Sequence, residues 1–164
     1  MNAKSRIVVI GNGMVGHKFL EVLAGHNDTG ACEVVVLCEE PRPAYDRVYL
    51  SSYFTDKTAE DLSLVKGDFF NEQGLDLRLN TRAVAIDKAA KTVTTAAGEI
   101  IAYDKLVIAS GSFPFVPPVP GHNREHCLVY RTIEDLEAIK AGAAVSKVGV
   151  VVGGGLLGLE AAKA

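Results

Sequence analysis

The run Ile7-Val8-Val9-Ile10-Gly11-Asn12-Gly13-Met14-Val15-Gly16 constrains the fold more than any other stretch. An apolar, strand-like segment passes without a spare residue into GxGxxG and then into a helix-like stretch. In that setting Gly11 permits the tight turn, Gly13 lets a pyrophosphate approach the backbone, and Gly16 lets the helix pack closely on the strand. The unpaired amides at the helix start then face the phosphates, helped by the helix dipole. The motif asks for a dinucleotide. A solitary GxGxxG is also an ordinary glycine turn, so its surroundings must decide.

Residues 14–23 (MVGHKFLEVL) carry Met14, Val15, Phe19, Leu20, Val22 and Leu23 at helical spacing, and the breaker cluster Gly25–Gly30 ends that helix. A β-branched run, Glu33–Cys38 (EVVVLC), follows and completes a βαβ unit with the first strand. An acid closing this second strand accepts hydrogen bonds from a ribose, and Glu39 stands near the expected spacing of about 20 residues. Pro41–Asp46 (PRPAYD) is a loop, because two prolines remove donors and fix the backbone. Ligands of open α/β sheets bind at the carboxyl ends of the strands, so Arg47, Ser51 and Ser52 are placed to meet phosphate or a ring edge.

Residues 75–79 predict a further strand. Residues 82–86, 91–95 and 99–103 then read as an antiparallel three-strand meander where a strict Rossmann fold would place a crossover helix. Lys105–Ala109 is a buried parallel strand ending in Ser110-Gly111, a glycine that implies close approach to the backbone. Phe113–Gly121 holds four of the six prolines and reads as a stiff connector. The domain boundary is placed there, giving 1–117 and 118–164. Thr132 caps a helix with Ile133, Leu136 and Ile139 on one face. Residues 147–152 predict another buried strand, leading into Gly153-Gly154-Gly155-Leu156-Leu157-Gly158-Leu159-Glu160. That is a second GxGxxG, and two in strand–turn–helix context make a strong signal. The last residue, Ala164, falls in mid-helix, which reads as a piece of a longer protein.

Of the 164 residues 48% are hydrophobic and 23% charged, and no apolar run approaches the roughly 20 residues that cross a bilayer. The polar start predicts a cytoplasmic protein. A net charge of −3 with scattered Lys and Arg gives no footprint for nucleic acid. Cys32, Cys38 and Cys127 lack ligand spacing and read as idle thiols, and His122 with His126 is a loop pair rather than a metal site. No catalytic side chain and no metal ligand is expected.

The order of these motifs, with YDR at Tyr45–Arg47 and GGGLLGLE at 153–160, resembles the FAD-dependent pyridine nucleotide-disulfide oxidoreductase superfamily. Within it, IGNGMVGHKF, CEEPRPAYDRVYLSSYF, YRTIEDL and VVGGGLLGLEAA resemble the amino-terminal part of the large-subunit family of assimilatory NAD(P)H-dependent nitrite reductases. The resemblance implies an α/β fold: a Rossmann-like FAD-binding domain followed by the start of a second, NAD(P)-binding one. It also implies roles. Gly11, Asn12, Gly13, Met14, Val15 and Gly16 would hold the FAD pyrophosphate, Glu39 and Glu40 the ribose, and Val84 the adenine end. Arg47 and Ser52 would lie toward the isoalloxazine, Ala109, Ser110 and Gly111 would line the flavin, and Arg131 would return to the cofactor. Gly153, Gly155, Gly158 and Glu160 would begin the NADH or NADPH site. Related ferredoxin reductases carry lysine where this chain has Ser52.

The implied chemistry is hydride transfer from nicotinamide to FAD, positioned rather than performed by the protein. Electrons would pass to [4Fe-4S] and sirohaem centres in later domains that reduce nitrite to ammonium, with a nitrite reductase small subunit as partner. These cysteines cannot hold such a cluster. The alternatives are a ferredoxin- or rubredoxin-type reductase and a redox-sensing flavoprotein with little turnover. Alone, the stretch is expected not to turn over.

Overall fold

The computed structural model describes residues 4–26 and 29–164. Asn27 and Asp28 of the predicted breaker cluster, and residues 1–3 of the polar start, lie outside the described residues. Two compact units are present: Met1–Tyr45 with Ser63–Gly111, and Asp46–Leu62 with Ser112–Ala164.

In the first unit, strands β1 (Ser5–Ile10), β2 (Cys32–Leu37), β3 (Leu75–Arg78) and β7 (Lys105–Ile108) form a parallel sheet in the order β3-β2-β1-β7. Helix α1 (Met14–Gly25) connects β1 to β2, whose register pairs Ile10 with Leu37. Strands β4 (Ala83–Asp87), β5 (Thr92–Thr95) and β6 (Ile100–Ala102) make the antiparallel meander. Alternation along the central strands sends residues to opposite faces. Ile7, Val9, Val34 and Val36 pack with Leu20 and with Phe19 and Leu23 of α1. Val8, Val35 and Leu37 pack with Val93 of β5 and Ile101 of β6. Both faces are therefore covered, which is why β1 and β2 read as unbroken apolar runs. Each fully buried Val or Leu contributes about 1.5–3 kcal/mol relative to exposure.

A short helix, α2 (Phe69–Glu72), precedes β3. Its residues Phe69 and Phe70 contact the buried ring of His17, whose Nε2 lies 3.2 Å from the Leu64 carbonyl oxygen. A carbonyl only accepts, so Nε2 carries the hydrogen and donates.

In the second unit, α3 (Ile133–Val145) starts at Thr132, whose hydroxyl accepts from the Asp135 amide while the Asp135 carboxylate accepts from the Thr132 amide. The threonine cap is the one that the sequence predicts, and the Asp135 carboxylate makes it reciprocal. The helix packs on a 3₁₀ turn, Leu50–Phe54. Ile133 and Leu136 are fully buried, as the predicted apolar face requires. Helix α4 (Leu156–Lys163) follows the second glycine motif.

The predicted strand over 147–152 does not form. Val148, Val150 and Val152 are 79, 83 and 88% exposed. A strand exists through its pairing, and no described segment of this chain pairs with these residues, so propensity has nothing to act against. Among the described residues, no helix is long and apolar enough to cross a membrane.

Candidate functional site

The carboxyl edge of the parallel sheet carries most of the predicted residues. Parallel pairing brings the ends of β1, β2 and β7 level: the Gly11 amide donates to Leu37 O at 2.8 Å and the Ala109 amide to Ile10 O at 2.8 Å. At Gly11 φ is +99°, and a Cβ there would lie 2.3 Å from the Ala109 carbonyl oxygen. At Gly16 a Cβ would lie 2.1 Å from the Gly11 carbonyl oxygen. The first and third glycines are thus required by the turn itself. Gly13 differs, because a Cβ there would meet nothing within 4 Å. Its missing side chain leaves open space.

That space lies at the start of α1, which has no side-chain cap and no acid in its first turn. The positive end of the helix dipole is left for an anion. Beside it Asn12 is 4% exposed, and both atoms of its side-chain amide lack a hydrogen-bond partner among the described residues. An unpartnered buried amide is costly without a ligand or water. Met14 and Val15 open the helix, Val15 with its side chain outward. A pyrophosphate-bearing cofactor fits this cradle.

Glu39 follows β2 and pairs with Arg82, its oxygen 3.6 Å from Nε in an exposed, weak ion pair. The Glu40 carboxylate accepts from the Tyr45 hydroxyl at 2.8 Å. Val84 is the extra residue of a β-bulge, set between the paired positions Ala83↔Thr95 and Ala85↔Thr94, and it is exposed. Bulges re-aim a side chain, so an apolar residue stands outward there. Ser110 and Gly111 are exposed immediately beyond Ala109.

The second unit gathers the remaining residues. Arg47 Nη1 donates to the Arg131 carbonyl at 2.9 Å. Arg131 Nε donates to Ser112 O at 3.1 Å, and its amide donates to Asp135 Oδ2 at 3.0 Å. The Ser52 hydroxyl donates to Tyr49 O at 2.6 Å, and that of Ser51 donates to the Glu160 carboxylate. The Tyr130 hydroxyl is buried and has no partner of regular geometry among the described residues. Burial raises its pKa above the phenol range; the neighbouring Ser51 hydroxyl draws it partly back, and the Glu160 charge raises it further. Gly155 caps α4, and a Cβ on Gly158 would lie 2.0 Å from the Gly153 carbonyl oxygen.

Sequence reasoning did not single out Tyr130 or the bond from Asp135 to Arg131. The T-x-x-D spacing at Thr132–Asp135 signals the cap, whereas nothing local signals the second bond. A cleft of about 590 Å³ lies at the opposite edge of the sheet, beside Arg6, Cys32, Glu33 and Asp104. It holds none of the predicted residues, and Arg6 there is already paired with Glu33 at 2.9 Å.

Comparison with known proteins gives a consistent answer. Residues 5–164 match the pyridine nucleotide-disulphide oxidoreductase family. The chain is 52% identical over 162 residues to the nitrite reductase (NADH) large subunit of Escherichia coli, covering 99% of this chain and 19% of that protein. It is 54% identical over 161 residues to the nitrite reductase [NAD(P)H] large subunit of Klebsiella oxytoca, covering 98% and 17% respectively. It thus spans about a fifth of the length of these relatives. Among solved structures, NADH:rubredoxin oxidoreductase from Clostridium acetobutylicum superposes with a TM-score of 0.83 at 28% identity, over 98% of this chain and 41% of that one.

Proposed function

Because the chain belongs to the pyridine nucleotide-disulphide oxidoreductase family, we propose that it is the flavin entry module of an NAD(P)H-dependent nitrite reductase. The 52% identity to a nitrite reductase large subunit across 99% of the chain is the observation that carries this reading. FAD, when bound, supplies an acceptor for a hydride that can release electrons singly. What this chain supplies is binding and orientation.

In this reading residues 1–117 form the FAD-binding domain and residues 118–164 begin the NAD(P)H-binding one. The open space at Gly13, the uncapped start of α1 and the buried amide of Asn12 hold the pyrophosphate between Gly11 and Gly16. Glu39 and Glu40 take the ribose, and Val84 covers the adenine end. Ala109, Ser110 and Gly111 line the flavin, with Arg47, Ser52 and Arg131 serving its anionic and ring portions. Gly153, Gly155, Gly158 and Glu160 begin the nicotinamide dinucleotide site. No nucleophilic side chain is called for. Iron-sulfur and sirohaem centres, nitrite itself and a small-subunit partner belong to the remainder of the full-length protein, acting in the cytoplasm.

The test is purification of the full-length protein from its natural source with a visible spectrum and an assay of NADH-dependent nitrite loss. Flavin and sirohaem bands with ammonium formed support the reading. Flavin alone, with electrons delivered to rubredoxin or ferredoxin and none to nitrite, would replace it with a reductase of the kind that the Clostridium acetobutylicum structure exemplifies. Flavin with negligible turnover would favour a sensor.

A further inference from the structure

The chain leaves the first unit after Tyr45 and rejoins it at Ser63. The residues between, 46–62, are encoded between β2 and β3, two neighbouring strands of the parallel sheet, yet they are ordered by helices of the second unit. At the base of this excursion the outgoing and returning chains are stitched together. Tyr45 and Ser63 form an antiparallel bridge, the Leu64 amide donates to Ala44 O at 3.0 Å, and the Asp46 amide donates to Leu62 O at 2.8 Å. A loop closed at its neck has its ends fixed locally, so its body can take its order from another element.

That element is α3. The 3₁₀ turn Leu50–Phe54 packs on it, and Leu50 is buried. The Tyr53 hydroxyl donates to Glu137 Oε1 at 3.0 Å, while Lys140 Nζ lies 4.7 Å from the centre of the Tyr53 ring and donates to the Tyr53 carbonyl at 3.4 Å. Glu137 and Lys140 are three residues apart, so a single helix face grips both the ring and the backbone of this tyrosine. The Phe54 and Tyr130 rings are centred 6.0 Å apart, Arg47 donates to the Arg131 carbonyl, and Ser51 donates to the Glu160 carboxylate. Each exposed contact is weak by itself. They all run to the same unit, however, and contacts that form and break together act as one cooperative group.

We infer that residues 46–62 are a strap that folds and opens as one with α3, rather than with the sheet whose strands flank it in sequence. Arg47, Ser51 and Ser52 then owe their order to α3, so loosening this helix releases all three while the parallel sheet and its glycine turn stay closed. The strap lies within residues 1–117, and this gives it the folding behaviour of residues 118–164.

Amide hydrogen exchange of the full-length protein, followed by fragment mass, is the experiment. The amides of Ser52, Thr55 and Lys57 donate to carbonyls inside the strap, so fragments over 49–57 report its opening. Leu136→Ala leaves a hole beside α3 and should speed exchange at least about tenfold in both α3 and the strap, with β1 and β2 within about twofold of wild type. Tyr53→Ala is milder, leaves the buried face of α3 intact, and should speed exchange in the strap and in α3 alike. Val93→Ala, in the core beneath β1 and β2, should speed exchange in those strands and leave the strap within about twofold. A strap that keeps its protection while α3 loses its own in Leu136→Ala would overturn the inference, as would a strap that follows β1 and β2 in Val93→Ala. Should Leu136→Ala not fold, Tyr53→Ala decides: acceleration confined to the strap, with α3 unchanged, would equally overturn it. None of these readouts turns on which cofactor is bound, so the flavin reading and this inference stand or fall separately.

Discussion

The two glycine turns have the same internal geometry and opposite surroundings. In each, the third glycine lies against the carbonyl oxygen of the first, a Cβ coming within 2.1 Å at Gly16 and 2.0 Å at Gly158. Each has a positive first φ, +99° at Gly11 and +123° at Gly153, and each opens a helix capped by the middle glycine in extended conformation. Yet the strand before Gly11 is buried between two layers, and the residues before Gly153 stand exposed and unpaired. The turn is thus a local device, encoded by three glycines, whereas the strand before it depends on neighbours supplied by the fold.

The largest effect should come from Gly11→Ala, where a methyl group meets the Ala109 carbonyl and the backbone sits at positive φ. It should destabilise the first unit by about 4 kcal/mol, read by amide exchange in β1 and β7. Gly153→Ala faces no such neighbour and should cost about 1–2 kcal/mol from its backbone alone. Equal costs would break the distinction between the two surroundings. Gly16→Ala and Gly158→Ala meet the same collision within their own turns, so each should cost its helix about 3 kcal/mol, and a large inequality would show that the turn is not self-contained. Gly13→Ala should cost only about 1 kcal/mol, since alanine is a poorer N-cap than glycine, yet weaken FAD binding tenfold or more by filling the open space, which calorimetry and flavin titration would separate.

The smallest effect concerns Tyr130 beside Ser51 and Glu160 in the second unit. Its raised pKa means that the neutral phenol is favoured in the folded state. The corresponding stability is present below the ordinary phenol pKa of about 10 and is lost as pH rises beyond it. Tyr130→Phe should therefore flatten the alkaline fall in stability, and at neutral pH it should be neutral or stabilising by up to about 1 kcal/mol, since the hydroxyl lacks a regular partner among the described residues.

Sequence patterns carried the first unit to within a residue or two, because β1, α1, β2 and the meander are specified by periodicity and turn chemistry. Thr132 announced its cap in the same way. The segment 147–152 has the composition of a buried strand but not the partners, and composition reports only the first. The pairing of Arg47 with Arg131 links residues far apart in sequence, as does the packing of the 3₁₀ turn Leu50–Phe54 on α3. Neither contact has a local signature. The order of the site residues along the chain, by contrast, was visible once both glycine motifs were read together.

The strand order β3-β2-β1-β7 also has a consequence in time. β1 acquires β2 early in synthesis, but its other neighbour begins at Lys105, after the whole meander has been made. Until then Gly11 has no Ala109 carbonyl to close against, and the edge that would cradle a cofactor is unfinished. At roughly 5–20 residues per second, the emerging chain spends seconds with an open β1 edge and an incomplete nucleotide cradle. That edge therefore cannot form before Lys105–Ile108 has been made, although β1 and α1 come first.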